Sequence, residues 1–131
     1  MIPPVMSSFI LRMLRGEQPL IYGTGEKRRD FIYIDDLAEG VAHLASHAAF
    51  AAEALNLGSG RPTPIAEACG VFLRALGWHG EHAFSGDAIP GNPLRMEADM
   101  TRTFALGFRP RVDLDEGLGR TAAWIKTEGD R

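Results

Sequence analysis

The sequence predicts a helix-rich α/β protein with few, short strands. Apolar residues recur at helical spacing in four segments, short β-prone runs lie between them, and no strand-turn-helix unit carries a glycine fingerprint for a dinucleotide. At 131 residues, 45% hydrophobic and 24% charged, the chain is expected to form one domain over 1–131 with a real core. Wholesale disorder is excluded by the same composition.

The first helix follows Pro3 and Pro4, with Val5, Met6, Phe9, Ile10, Met13 and Leu14 on one face and Gly16 as its stop. Leu20-Ile21-Tyr22 and Asp30-Phe31-Ile32-Tyr33-Ile34 are β-prone, and Gly23-Thr24-Gly25-Glu26-Lys27 between them reads as the turn of a β-hairpin. A second helix starts at Asp35-Asp36, where Asp36 and Glu39 have capping-box spacing and Leu37, Val41 and Leu44 form the buried side. Ala54-Leu55-Asn56-Leu57 reads as a third strand ending in Gly58-Ser59-Gly60.

Thr63 is the expected N-cap of a third helix whose stripe runs through Ile65, Ala68, Cys69, Phe72, Leu73 and Leu76 to Gly77. A short helix is expected over 99–106, closed by Gly107 and Pro110. The last helix begins at Asp113, with Glu116 three residues on, and carries Leu114, Leu118, Ala122 and Ile125.

Several function classes fall away on composition. A formal net charge of −3 lacks the basic face that phosphate neutralisation requires, so nucleic acid is not an expected partner. No apolar run approaches the roughly 20 residues that cross a bilayer, so no membrane association is expected and the chain reads as cytoplasmic. One cysteine, Cys69, cannot form an internal disulfide, and it falls on a core-facing stripe. His43, His47, His79 and His82 lack metal-ligand spacing, so no metal site is expected. Asp35 and Asp36 could serve as an acid/base pair, but their place before a helical stripe favours capping. Gly58-Ser59-Gly60 continues into Arg61-Pro62-Thr63-Pro64 without a Walker lysine, which favours a chain reversal over a phosphate cradle, and Ser59 has no nucleophile-elbow context.

The most informative stretch holds Tyr22-Gly23-Thr24-Gly25, Arg29-Asp30-Phe31 and Tyr33-Ile34-Asp35-Asp36 in fixed order. Gly16-Glu17-Gln18-Pro19-Leu20 leads into it, and Asn56-Leu57-Gly58-Ser59-Gly60, Ala98-Asp99, Leu106-Gly107-Phe108-Arg109-Pro110 and Leu114-Asp115-Glu116-Gly117-Leu118 follow, with an aromatic at Trp124. This order resembles the carboxy-terminal, substrate-binding part of the extended short-chain dehydrogenases/reductases, the NAD-dependent epimerases and dehydratases that act on nucleotide sugars.

The resemblance implies a nucleotide-diphosphate sugar as ligand and two substrate-binding residues. Arg29 stands where the family holds the substrate's phosphates, and a planar guanidinium offers bidentate donors to them. Arg95, in Pro90-Gly91-Asn92-Pro93-Leu94-Arg95, resembles the second arginine of the fucose-synthase-like and decarboxylase-like branches. The bland alternatives are a surface arginine paired with Asp30 or a nearby carboxylate, and a plain loop arginine.

The family's amino-terminal Rossmann portion, its glycine-rich phosphate loop and its Tyr-x-x-x-Lys pair have no counterpart here. Tyr22 and Tyr33 are followed four residues on by Glu26 and Leu37, and a tyrosine without its lysine is a poor proton acceptor at neutral pH. The expectation is therefore no catalytic residue and no cofactor in this chain, NAD or NADP being held elsewhere in intact members. Two readings follow. The chain is the nucleotide-sugar-binding portion of an enzyme, not competent alone, or it is an autonomous truncated homologue acting as a ligand-binding or self-associating module. Apolar faces at Val5, Phe9 and Met13, or at Leu37, Val41 and Leu44, would drive homo-oligomerisation or contact with a Rossmann portion.

Overall fold

The computed structural model describes residues 5–49, 51–86 and 91–128. In chain order they form α1 (Val5–Leu14), β1 (Leu20–Ile21), β2 (Arg28–Asp30), α2 (Ile34–His47), β3 (Pro62–Pro64), α3 (Ile65–Leu76), β4 (Ala83–Phe84), α4 (Thr101–Ala105) and α5 (Leu114–Glu128). The helix-rich α/β class holds. The role expected of Pro3 and Pro4 in starting α1, and the place of Pro90, lie outside the described residues.

The helical stripes place the core. Phe9 of α1, Ile21 of β1, Ala68, Cys69, Phe72 and Leu73 of α3, and Leu118 and Ala122 of α5 form one buried cluster. Ile65, Leu114 and Ile125 pack against it half-buried. Gly77 ends α3 in the left-handed region at φ 91°, where a side chain would be strained, and its N–H returns to the carbonyl of Arg74. At the start of α5, the Asp113 carboxylate accepts the N–H of Glu116 at 2.8 Å, the cap its spacing predicts. A second packing site lies under α2, where the space beside Gly40 is filled by Leu57 and Phe108.

The strands depart from expectation. The hairpin does not form: β1 pairs in parallel with β4, Leu20 opposite Ala83, and β2 pairs antiparallel with β3, Arg29 opposite Thr63. The turn between them leads away instead of back, with Gly23 and Gly25 both at positive φ, and Gly25 lies so close to Phe84 and Ala66 that a Cβ would sit 2.7 and 2.8 Å from them. Residues 54–57 join no ladder.

Two expected caps and two expected faces are also corrected. Thr63 is a strand residue, and its hydroxyl donates to the Arg61 carbonyl and not to α3. In α2 no side chain caps the N-terminus. Asp36 turns inward, and Glu39 pairs with Arg111. Val41, expected inside, is 57% exposed, because the buried side of α2 runs through Asp36, Gly40 and Leu44. Phe9 is fully buried and Met13 half-buried, so neither lies on the open apolar face of α1 expected of them.

Candidate functional site

Three chain segments meet at the carboxylate of Asp30. It accepts the N–H and hydroxyl of Ser59 at 2.7 and 2.5 Å, the N–H of Gly60 at 3.0 Å and the N–H of Ala98 at 3.1 Å. Burial pushes its acidity one way, toward a higher pKa, but the hydrogen bonds from Ser59, Ala98 and Gly60 outweigh it and hold the carboxyl below its usual range. Gly58 is obligatory at this junction, since a Cβ there would lie 2.6 Å from the Ala98 side chain and 2.8 Å from the Asp30 carboxylate.

Asp30 thereby fixes the end of β2, and the loop over 92–96 is laid along that strand. The Arg28 N–H donates to the Leu94 carbonyl at 2.8 Å, and the Met96 N–H donates to the Arg28 carbonyl at 3.1 Å. The result is a parallel bridge between Arg28 and Arg95. The two arginines singled out in the sequence are therefore carried on adjacent lengths of backbone.

Arg29 is not paired with Asp30. Its guanidinium donates to the carbonyls of Arg28 at 2.7 Å and Pro93 at 3.1 Å, and to the side-chain oxygen of Asn92. These hydrogen bonds occupy part of its five-donor fork and orient the rest. Arg95 is held by Glu97, with Nη2 at 2.6 Å and Nε at 2.9 Å from the same carboxylate oxygen. Arg28, which sequence reasoning passed over, donates to the Pro62 carbonyl at 3.2 Å and joins Arg95, Glu26, Thr24 and Leu94 around a cavity of about 510 Å³. Its signal was the basic run Lys27-Arg28-Arg29, in which only the motif position was chosen. Arg29 does not line that cavity, as expected for neighbours on a strand whose side chains alternate in direction.

A larger cleft of about 730 Å³ lies elsewhere, between the 59–63 turn and the start of α5. Three of its charged groups serve the fold. Arg109 lies 4.2 Å over the Phe104 ring and donates to two carbonyls, Arg111 pairs with Glu39, and Asp113 caps α5.

Most of the remaining candidates have partners within the fold. Asp36 is 2% exposed and accepts backbone N–H groups from Arg111 and Val112. His43 and His47 stack at 4.0 Å, each bonded to a backbone carbonyl, and no group of three potential metal ligands occurs among the described residues. His82 lies edge-on to Phe84, and His79 is exposed. Burial pushes the Cys69 thiol up to about 12.

The Gly58-Ser59-Gly60 turn does not fit a dinucleotide. A phosphate cradle needs free N–H groups and open space above glycine. Here the N–H groups of Ser59 and Gly60 are taken by Asp30, and the space beside Gly58 is filled by Ala98. What the arginine cluster can do is bind anions. The residues lining its cavity include no histidine, cysteine or tyrosine that could move a proton near neutral pH. Among the described residues, no helix is long and apolar enough to cross a membrane.

Residues 3–58 match the model of the NAD dependent epimerase/dehydratase family. The chain is 34% identical over 125 residues to UDP-glucuronic acid decarboxylase 1 of Xenopus tropicalis, covering 95% of this chain and 29% of that protein. Among solved structures it is similar to a UDP-N-acetylglucosamine 4-epimerase of Methanobrevibacter ruminantium in complex with UDP-N-acetylmuramic acid, at TM-score 0.82 and 28% identity, over 95% of this chain and 40% of that one. A UDP-glucuronic acid 4-epimerase of Bacillus cereus, bound to a fluorinated UDP-sugar and NAD, matches at TM-score 0.82 and 26% identity, again over 95% and 40%. The chain thus spans two fifths or less of the length of these relatives.

Proposed function

We propose that this chain, which belongs to the NAD-dependent epimerase/dehydratase family of extended short-chain dehydrogenases/reductases, is a substrate-holding portion that grips a nucleotide-diphosphate sugar by its phosphates. The observation that carries this reading is the bridge between Arg28 and Arg95, with Arg29 clamped across it to Asn92 and Pro93. It brings Arg28 and Arg95 to one cavity, with Arg29 on the adjoining backbone, and guanidinium groups match phosphate oxygens bidentately. The UDP-sugars bound by the Methanobrevibacter and Bacillus proteins are ligands of the class this arrangement suits.

In this reading residues 1–131 form one binding unit in the cytoplasm and bring specificity without catalysis. NAD or NADP supplies hydride transfer in the intact family, and this chain's part is to fix the diphosphate so that the sugar is positioned for it. Calorimetric titration with UDP-glucose tests the reading. Saturable binding by the wild type that is lost in Arg29→Ala supports it, and equal binding by both overturns it.

A second reading, an autonomous module that self-associates, draws on the exposed Ile34 and Val41 of α2. Light scattering over a concentration series separates it, since this reading requires a mass that rises with concentration.

A further inference from the structure

The cleft of about 730 Å³ between the 59–63 turn and the start of α5 has walls that the fold holds in place. Its turn is fixed by Asp30, which accepts the N–H groups of Ser59 and Gly60. Phe104 is pinned by Arg109, whose guanidinium carbon lies 4.2 Å from the ring centroid. Tyr33 sits against Gly117 of α5, where a Cβ would be 3.3 Å from the ring. Phe31 completes an aromatic lining. A concave site with apolar walls and side chains already in place pays little ordering cost when a ligand enters.

The charges of the cleft divide into two sets. Arg109, Arg111 and Asp113 are committed to the contacts described above. Arg61, Glu67 and Asp115 are exposed, and among the described residues none of their charged groups forms an ion pair or a hydrogen bond, with one another or with any neighbour. The backbone keeps them apart, since Arg61 stands on the turn while Glu67 and Asp115 stand in the first turns of α3 and α5. Carboxylates there also complement the helix dipoles, but that role does not call for an unpaired guanidinium in the same cleft. The cleft therefore offers one free cation, two free anions and an aromatic surface together.

We infer that this cleft binds a small zwitterion with an apolar body, of the class of an α-amino acid with an aromatic side chain. Its carboxylate meets the guanidinium of Arg61, its ammonium meets the carboxylates of Glu67 and Asp115, and its ring packs on Phe31, Tyr33 and Phe104. A purely anionic ligand would face two uncompensated carboxylates, and a simple cation would leave Arg61 unmet and face its charge. The site shares no lining residue with the cavity of Arg28 and Arg95, so the inference goes beyond the phosphate grip and does not depend on it.

The test titrates the full chain with L-phenylalanine, N-acetyl-L-phenylalanine and phenethylamine, followed by ligand-observed magnetic resonance and by amide shifts of the protein. L-Phenylalanine should bind saturably with a Kd of about 1 mM or tighter. The N-acetyl compound lacks the ammonium and phenethylamine lacks the carboxylate, and each should bind about tenfold or more weakly. Amide shifts should fall at Tyr33, Arg61 and Phe104 and not at Leu94 or Arg95. Arg61→Ala should weaken L-phenylalanine binding about tenfold or more, and so should Glu67→Gln combined with Asp115→Asn. Arg74→Ala, at an exposed arginine in the last turn of α3, should leave it unchanged. Thermal melts of the variants should match wild type, because the altered groups have no partners in the fold. Absence of saturable binding, equal binding of the three compounds, equal binding by Arg61→Ala, or shifts confined to Leu94 and Arg95 overturns the proposal. UDP-glucose titration reports on the phosphate grip separately, so either reading can fail without the other.

Discussion

The carboxylate of Asp36 accepts the backbone N–H of Val112 at 2.8 Å, across 76 positions of sequence. It also accepts the N–H of Arg111 at 2.9 Å, so one side chain in the first turn of α2 fastens the segment that leads into α5. A residue whose position reads as a helix cap is in fact a long-range tie.

That distinction is measurable in paired variants. Asp36→Ala strands two N–H donors at a site only 2% exposed and should cost about 3 kcal/mol of stability. Asp35→Ala, at an exposed position, should cost less than about 0.5 kcal/mol. Urea denaturation of both variants decides it, and equal effects would return Asp36 to a capping role.

Asp30 carries a pH signature. Its folded pKa lies below the unfolded value near 3.9, so its contribution is complete above pH 5 and is lost as pH falls through the folded pKa. Asp30→Asn keeps the shape but has one carbonyl oxygen for four donors, and should be about 2 kcal/mol less stable at pH 7. Denaturation curves at pH 7 and pH 3 should show the gap to wild type narrowing in acid.

Two glycines are set by neighbours and not by backbone conformation. Gly58→Ala drives a methyl into Ala98 and Asp30, and Gly40→Ala drives one into Leu57 and Phe108. Each should cost about 1–3 kcal/mol by overpacking. Gly119→Ala, with nothing within 4 Å of the added Cβ, should be neutral or stabilising by the same assay.

Arg29→Ala should weaken UDP-glucose binding about tenfold or more, equivalent to about 1.4 kcal/mol. Arg95→Ala should cost less, because Glu97 already engages its guanidinium. The stability of both variants should stay within about 1 kcal/mol of wild type, since the hydrogen bonds that these guanidinium groups make are exposed to solvent. Ligand-observed magnetic resonance and a thermal melt measure the two quantities together.

Cys69 should resist iodoacetamide at pH 8 in the folded chain and react in urea. Its thiol is fully buried and pushed up to about 12, so thiolate is scarce and shielded. Stoichiometric labelling without denaturant would contradict the buried placement.

The helices were legible because apolar residues repeat every three or four positions, as in Ala68, Cys69, Phe72 and Leu73, and burial follows that spacing directly. The strands were not. Pro62-Thr63-Pro64 carries two prolines, which are depleted in strands, and its pairing with β2 ends at Asp30, whose carboxylate holds the Ser59 turn just before it. The Gly23-Thr24-Gly25 turn has hairpin chemistry, but local chemistry does not name the partner strand. Arg29 and Arg95 could be picked out by motif; that Arg28 and Arg95 lie side by side could not, since their register comes from hydrogen bonds to Leu94 and Met96.

The parallel pairing of β1 with β4 bears on the order in which the chain assembles. Joining Leu20 to Ala83 closes a loop of roughly 60 residues for a ladder only two residues long, a poor exchange of chain entropy for hydrogen bonds at early times. The apolar face of α3 against α5 offers far more burial, and Ile21 joins that cluster once it exists. The β1–β4 ladder should therefore form after the folding barrier, so that Ile21→Val speeds unfolding while leaving the refolding rate nearly unchanged.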